Sequence, residues 1–255
     1  MAGVNRLHAV SRPVLAAVAA GLLGFAAAGW TQSKPGKISK QEVSAMIKRV
    51  HWLGHAGILI AGSKAGVVVV DPYEIGGIEK ICGKKTADVI LITHGHQDHL
   101  SPGDIEKIRG EKTVVVVPRG CEAGLKGNIR TVTPGAKITV GGVDVEAVPA
   151  YNIGKRFHPR EKGYVGYVFI VDGVRYFHAG DCDAVPEMES VSADVVFLPV
   201  GGTYTMTAAE AAGLANAIKP KIAVPIHWGS IVGSSADAET FKKLCACEVQ
   251  ILNHE

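Results

Sequence analysis

Short runs of apolar and β-branched residues recur along most of the chain and predict strands rather than long helices. In chain order the main runs are VHWLGHAGILIAG, GVVVVDPY, DVILITH, TVVVVP, RTVTPGAKITVGGVDVEAVPA, GYVGYVFIVDGVRYFH, ADVVFLPV, KIAVPIH and EVQIL. The pairs Gly141-Gly142 and Asp172-Gly173 separate apolar runs and are typical of tight hairpin turns. The chain is therefore predicted to begin with hairpin-rich β segments.

Helix signals appear between the later strands. Ser101 and Pro102 have the order of an N-cap and a first helical residue. Thr207 and Glu210 have the spacing of a capping box and predict a helix over TMTAAEAAGLANAIKP. The stretch SADAETFKKLCAC is predicted to form a further helix. Hairpins followed by strands that alternate with helices, repeated in the second half, predict two mixed sheets covered by helices on their outer faces.

The beginning of the chain has a different pattern. Arg6 and Arg12 precede an uncharged apolar run, VLAAVAAGLLGFAAAG, that ends in small residues. The run is shorter than the ~20 residues of a spanning helix, so residues 1–29 are predicted to be a signal peptide, with an uncleaved anchor as the alternative. Residues 30–45 are predicted to be a linker and residues 46–255 a single domain. That domain is expected to be exported, as a periplasmic, secreted or membrane-anchored protein.

Charge and cysteine content narrow the candidate partners. The formal net charge is +3, and the two leader arginines supply most of it. A nearly neutral domain argues against an extended nucleic-acid surface, so no nucleic-acid partner is expected. The five cysteines are odd in number and irregularly spaced, which does not predict a disulfide framework. We expect a small-molecule or lipid-like substrate.

The stretch ITHGHQDHL contains three histidines and an aspartate directly after a predicted buried strand. Strand periodicity puts His94 and His96 on one face, where both imidazoles can reach one metal ion. Asp98 and His99 follow in the next loop or helical turn and face a second position nearby. Nitrogen and carboxylate ligands suit zinc, and also manganese or iron. The pattern predicts two divalent metal ions, with zinc as the first choice.

These four side chains are too few to hold two ions, so further ligands must come from distant parts of the chain. Asp181 and His227 each end a predicted strand and have a glycine within two residues, where the backbone can turn sharply. Asp71 also ends a strand, and we expect it to brace the histidine loop by hydrogen bonds. His178 is expected to lie in the core or behind the ligands.

The motifs THGHQDH, AGDCD and IHWG, in this order, resemble those of the metallo-β-lactamase superfamily, and the resemblance covers residues 50–255. WLGHAG, GYVGYVF, YFHAGD, PEM and PVGGTYTMTAAEAA are similar to a sub-group of bacterial and archaeal metal-dependent hydrolases. The N-acyl-phosphatidylethanolamine phospholipase D and ascorbate-phosphate lactonase branches are similar to that sub-group. The resemblance implies an α/β (α+β) fold, a four-layer αββα sandwich with the metal ions at one edge.

The resemblance also implies a role for each candidate ligand. Two side chains would bind the first ion, three would bind the second, and one carboxylate would bridge both. The implied ligands are His94 and His96 for the first ion, Asp98, His99 and His227 for the second, and Asp181 as the bridge.

One ligand position departs from the family. Relatives usually supply one more histidine to the first ion, where this chain has Asn152. His158, six residues further on, is one alternative for that position, and a position left open to water is another. His55, in WLGHAG, is expected at the border of the pocket on the strength of the resemblance alone.

Together these residues predict a hydrolase in which a metal-bound hydroxide attacks an ester, lactone or phosphodiester-type bond. Asp98 would orient the hydroxide, and His158 or His55 would protonate the leaving group or contact the developing oxyanion. A β-lactamase and a nuclease are alternatives, the second disfavoured by the charge. A di-iron redox enzyme is disfavoured because Gln97 stands where such relatives carry a carboxylate. Asn152 suggests a non-enzymatic or decayed metal-binding protein as the remaining alternative.

Overall fold

The computed structural model describes Met1, Gly3, residues 39–64 and residues 66–255. Nearly all of the predicted signal peptide, and the predicted linker up to residue 38, lie outside these described residues. The rest of the predicted linker range belongs to helix α1, Lys40–Ile47, whose Met46 and Ile47 pack against the core. No helix within the described part is long and apolar enough to cross a bilayer.

The first sheet has six strands whose spatial order follows the chain. The strands are β1 Val50–Gly54, β2 Gly57–Ala61, β3 Val67–Val70, β4 Ala87–Leu91, β5 Arg109–Pro118 and β6 Asn128–Val132. Strands β1 to β3 pair antiparallel, and β3 to β6 pair parallel. The run VHWLGHAGILIAG was predicted as one strand, and that is wrong. It forms a hairpin because His55 adopts a left-handed conformation, with φ of 47°, and reverses the chain.

The second sheet has seven strands in the order β13-β12-β11-β10-β9-β8-β7. Its strands are β7 Lys137–Val140, β8 Val143–Pro149, β9 Val165–Val171, β10 Val174–His178, β11 Val195–Pro199, β12 Ile222–Ile226 and β13 Glu248–Val249. Strands β7 to β10 pair antiparallel, and β10 to β13 pair parallel. The predicted hairpin turns at Gly141-Gly142 and Asp172-Gly173 are confirmed, and all four residues have positive φ.

Helices connect the parallel strands. After α1 they are α2 Glu79–Cys82, α3 Pro102–Ile108, α4 Pro186–Glu189, α5 Ala208–Ile218 and α6 Ser235–Leu244. The Ser101 side chain accepts a hydrogen bond from a backbone N–H of α3, as predicted. Thr207 and Glu210 form the predicted capping box of α5. The single-turn helices α2 and α4 were not predicted, because four residues carry no helical periodicity.

Strand alternation separates the core into layers. In β3, Val68 and Val70 face the core between the two sheets, whereas Val67 and Val69 face the outer side. The outer face of the first sheet packs against α2 and α3, and the outer face of the second sheet packs against α4, α5 and α6. The predicted four-layer αββα sandwich is confirmed.

The candidate ligands gather where the strands of both sheets end. Asp71 follows β3 and His94 follows β4, and these strands are parallel neighbours. Asp181 follows β10 and His227 follows β12 in the second sheet. The sheets approach closely at Gly180, where a Cβ atom would lie only 2.9 Å from the Thr93 Cβ. A glycine there lets the two halves of the site meet.

Candidate metal centre

Asp71 anchors the histidine loop from beneath. It is fully buried, and its Oδ1 accepts a hydrogen bond from the Thr93 backbone N–H at 2.8 Å. Its Oδ2 accepts hydrogen bonds from the Thr93 hydroxyl at 2.6 Å and from His99 Nδ1 at 2.8 Å. Because Nδ1 of His99 donates to Asp71, Nε2 is the ring nitrogen that faces the other candidate ligands.

The first group of converging nitrogens comes from three histidines. His94 Nε2 lies 3.1 Å from His96 Nδ1, and His158 Nε2 lies 3.2 Å from the same nitrogen. Burial lowers the pKa of His94 well below its ordinary value and lowers the pKa of His158 to about 4. The pKa of His96 is also lowered, chiefly by burial. These neutral rings can direct their lone pairs to one shared metal position.

The second group contains His55, Asp98, His99 and His227, whose candidate ligand atoms all lie within 4.8 Å of one another. His55 Nε2 is 3.1 Å from Asp98 Oδ2, and the rings of His55 and His227 have centroids 3.9 Å apart. Burial alone would raise the pKa of Asp98, but the hydrogen bond from His55 and the charge of His99 lower it to about 2. Asp98 is therefore a carboxylate at neutral pH.

Asp181 lies between the two groups. Its Oδ1 is 3.3 Å from His99 Nε2, and its Oδ2 is 3.0 Å from His227 Nε2 and 3.6 Å from His158 Nε2. Burial would raise the pKa of Asp181, but His227 and His99 hold it well below its ordinary value. Burial would likewise lower the pKa of His99, but Asp181 and Asp71 raise it well above its ordinary value. A cation bound here would replace the proton that His99 otherwise holds.

The donor atoms fit divalent cations. Within the described part of the chain, the buried side-chain atoms without a hydrogen-bond partner all belong to this cluster. They are His55 Nδ1, His99 Nε2, Asp181 Oδ1, and both ring nitrogens of His227. Buried polar atoms are normally paired, since an unpaired one costs about 1–3 kcal/mol. Imidazole nitrogens and carboxylate oxygens that converge without partners are the ligands that zinc, manganese and iron take.

The structure separates the roles of Asn152 and His158. His158 Nδ1 donates to Asn152 Oδ1 at 2.9 Å, which leaves His158 Nε2 facing the first group. The Asn152 amide donates to Asp183 Oδ1 and to the Tyr204 carbonyl, both at 3.1 Å. Asn152 thus stands behind His158 and fixes its ring, and His158 occupies the third corner of the first group.

His178 lies apart from both groups. It is fully buried, its Nε2 donates to the Ala56 carbonyl at 2.9 Å, and its Nδ1 accepts from the Gly180 backbone N–H at 3.2 Å. Both ring nitrogens are therefore engaged with backbone groups on either side. His178 joins the β1–β2 turn to the loop that carries Asp181.

Sequence reasoning missed Thr93 and Asp183, and it underestimated His55. Asp183 accepts hydrogen bonds from the Asn152 side chain and from the Ile153 backbone N–H, so it holds the loop that carries His158. Its place in AGDCD, two residues after Asp181, was the available signal. Thr93, adjacent to the histidine motif, carried no comparable signal.

A cavity of about 360 Å³ opens over the two groups. Asp98, His96 and Asp181 line its floor. Aromatic and apolar side chains also line it, namely Tyr73, Phe157, Tyr204 and Ile231, together with the polar Gln97 and His158. The Phe157 and Tyr204 rings touch edge to face, with centroids 4.7 Å apart. A small substrate can therefore reach the polar cluster past these aromatic and apolar side chains.

Comparison with known proteins agrees with this geometry. Residues 49–227 match the family model described as beta-lactamase superfamily domain. A Pyrococcus abyssi protein named UPF0173 metal-dependent hydrolase is 34% identical over 216 residues, which cover 80% of this chain and 95% of that protein. A Parabacteroides distasonis structure, described as a candidate metal-dependent hydrolase, is 30% identical with a TM-score of 0.70, and the match covers 80% of this chain and 93% of that one.

A more distant solved structure shares the fold. It is described as a candidate zinc-dependent hydrolase of the metallo-β-lactamase superfamily from Thermotoga maritima. Its identity is 24% and its TM-score 0.52, over 77% of this chain and 85% of that one. From the family match, the relatives and the shared fold, the chain belongs to the metallo-β-lactamase superfamily and to its metal-dependent hydrolases.

Proposed function

We propose that the protein holds two divalent metal ions, with zinc as the first choice, and hydrolyses an ester, lactone or phosphodiester-type bond. The observation that carries this proposal is the convergence of histidine and aspartate ligand atoms in two groups, with Asp181 between them. Within the described part of the chain, the buried atoms without a hydrogen-bond partner belong to the second group and to Asp181. Each group offers at least three donor atoms, which is the number of protein ligands that a catalytic zinc ion takes.

The residues divide between the ions according to their position. The first ion would be held by three imidazoles, the second by two imidazoles and a carboxylate, and Asp181 would contact both. These are His94, His96 and His158 for the first ion, and Asp98, His99 and His227 for the second. His55, 3.1 Å from Asp98, would keep that carboxylate in place.

When bound, two such ions supply Lewis acidity and lower the pKa of water to about 7. Asp98 is a carboxylate that faces the cavity, and its Oδ1 has no hydrogen bond with any described residue. We infer that this carboxylate orients the attacking water. The role of proton donor, which we expected for His158, does not fit, because one ring nitrogen faces the first group and the other donates to Asn152.

Partners and location also belong to this proposal. The size of the cavity supports a small-molecule or lipid-like substrate, and the near-neutral charge supports the expectation of no nucleic-acid partner. The N-terminal pattern supports an exported protein, periplasmic or secreted, or one anchored by an uncleaved leader.

The test is metal analysis followed by an activity panel of carboxylic esters, lactones, phosphodiesters and β-lactams. We expect about two ions per chain and turnover on at least one of the first three classes. His94→Ala should lower the metal content and abolish turnover. His51→Ala is the matched control, since His51 pairs with Glu255 outside the cluster. Fewer than about one ion per chain, or activity unaffected by His94→Ala, would refute the proposal.

A further inference from the structure

A second cavity, of about 410 Å³, adjoins the metal centre. It shares Tyr73 with the cavity over the metal groups, and His55 forms part of its wall. The same His55 contacts Asp98 and packs on the ring of His227. The volume lies within the range of ligand pockets, roughly 300–1,000 Å³. A molecule that reaches the metal groups can therefore extend a second group into this cavity.

Aromatic rings form the walls of this second cavity. Trp52 and Trp228 stack with centroids 4.8 Å apart, and Tyr73 lies on the side towards the metals. Both indole N–H groups are already used, by the His55 carbonyl at 2.9 Å and the Pro225 carbonyl at 3.1 Å. Trp52 is only 6% exposed and stacks on Trp228, so the aromatic surface open to a ligand comes chiefly from the half-buried Trp228 and Tyr73, and neither indole offers a free donor.

The charged side chain in the lining of this cavity is acidic. Glu74 is exposed and is the only carboxylate among the described residues that line the cavity. No lysine or arginine is found among those lining residues. Glu74 forms no salt bridge with any described residue. Its hydrogen bond with the Tyr73 hydroxyl is the chief cause that raises the pKa of that hydroxyl. The cavity thus combines aromatic surface with one unneutralised negative charge.

The cavity is also preformed. Trp52 pairs with His254 in a short parallel bridge, and His254 Nε2 donates to the Leu53 carbonyl at 3.1 Å. The Glu255 backbone N–H donates to the Trp52 carbonyl at 3.1 Å. The segment that closes one side of the cavity is therefore held against β1. Binding of a ligand would therefore cost little conformational entropy in this wall.

We propose that this second cavity binds an organic cation, a substituted ammonium group carried by the substrate. Aromatic faces attract such cations through the ring quadrupole, and Glu74 adds an opposite charge that no basic residue in the lining cancels. The link to hydrolysis rests on the proposed function, because it requires the reacting bond to lie at the metal groups. Binding of the cation itself does not require turnover.

The test compares choline with 3,3-dimethylbutan-1-ol, its neutral isostere, in titrations followed by tryptophan fluorescence of the metal-loaded protein. Trp52 and Trp228 both line the cavity and report its occupancy. We expect choline to bind at least about five-fold more tightly than the isostere. Glu74→Gln should remove most of that preference and leave binding of the isostere unchanged. Glu239→Gln, an exposed acid on α6 outside the cavity, is the matched control and should change neither.

A second variant locates the site. Trp228→Leu should weaken choline binding about ten-fold or more while Trp52 still reports it, and metal content identifies a variant that has not folded. Equal or tighter binding of the isostere, or no binding of either probe, overturns the proposal. So does choline affinity that is unchanged in both Glu74→Gln and folded Trp228→Leu.

The two proposals fail separately. Choline binding without hydrolysis of any compound in the activity panel keeps the cation site and refutes the proposed hydrolysis. Hydrolysis by a protein that does not prefer choline over its isostere supports the proposed function and refutes the cation site.

Discussion

Replacement of Asn152 by alanine tests the structure of the first metal group most directly. The change removes the oxygen that accepts from His158 Nδ1 and the amide that donates to Asp183 and to the Tyr204 carbonyl. His158 is 1% exposed, so water does not readily replace the lost partner. We expect Asn152→Ala to leave the three histidine ligands present but to release the ring of His158 from its fixed orientation.

The magnitude follows from these contacts. An outer partner of a metal-bound histidine is worth about 10–100-fold in metal affinity, or about 1.4–2.8 kcal/mol. The buried nitrogen left unpaired costs a further about 1–3 kcal/mol of folding stability. Because Asn152 touches none of the second group, the affinity loss should fall on one ion. His158→Ala should remove that same ion almost completely.

Competition with a chromophoric zinc chelator measures the two ions as separate steps. Asn216→Ala is the matched control, since Asn216 bonds the Leu244 carbonyl and the Ala246 N–H, outside the metal groups. It should lower the free energy of unfolding without changing either zinc affinity. If Asn152→Ala changes neither affinity by more than about two-fold while His158→Ala removes one ion, the assigned role of Asn152 is wrong.

Three further predictions concern the metal centre as a whole. Zinc at about 100 times its Kd should stabilise the chelator-treated protein by about 2.7 kcal/mol, or roughly 5–10 °C in Tm; an unchanged Tm in scanning fluorimetry would contradict the site. Asp71→Asn should lower zinc affinity about ten-fold, because His99 loses its carboxylate partner, whereas the exposed control Asp144→Asn should not. Without metal, stability should fall as pH drops from about 6.5 towards about 4, the folded-state pKa of His158. The unfolded chain binds that proton first, so urea midpoints of His158→Asn should show a shallower pH slope; an equal slope would refute the assignment.

The sequence was sufficient for the parts of the site that lie at strand ends. Strand periodicity and terminal glycines located His94, Asp181 and His227, because a strand that ends at a sheet edge presents its next polar residues there. Capping residues located α3 and α5 for a similarly local reason. These features depend on neighbours within a few positions.

The remainder depends on contacts between distant residues. Asn152 is held by Asp183 and the Tyr204 carbonyl, which follow it by tens of residues, and this arrangement turns His158 towards the first group. His55 enters the second group because a non-glycine residue occupies a left-handed turn position, which local propensity disfavours. Neither the contacts of Asn152 nor the position of His55 can be predicted from residue spacing along one sequence.

The close approach of the two sheets at Gly180 has a consequence for the order in which the site is built. The first sheet supplies His94, His96 and His99, whereas Asp181 and His227 come from loops of the second sheet. A chain of which only the first sheet has been synthesised therefore lacks part of the proposed ligand set. Because the donor set is complete only when the second sheet packs on the first, we expect full metal affinity to require that long-range step of folding. Metal bound at the proposed site would join residues of both sheets, and we expect its removal to loosen the sandwich at that edge first.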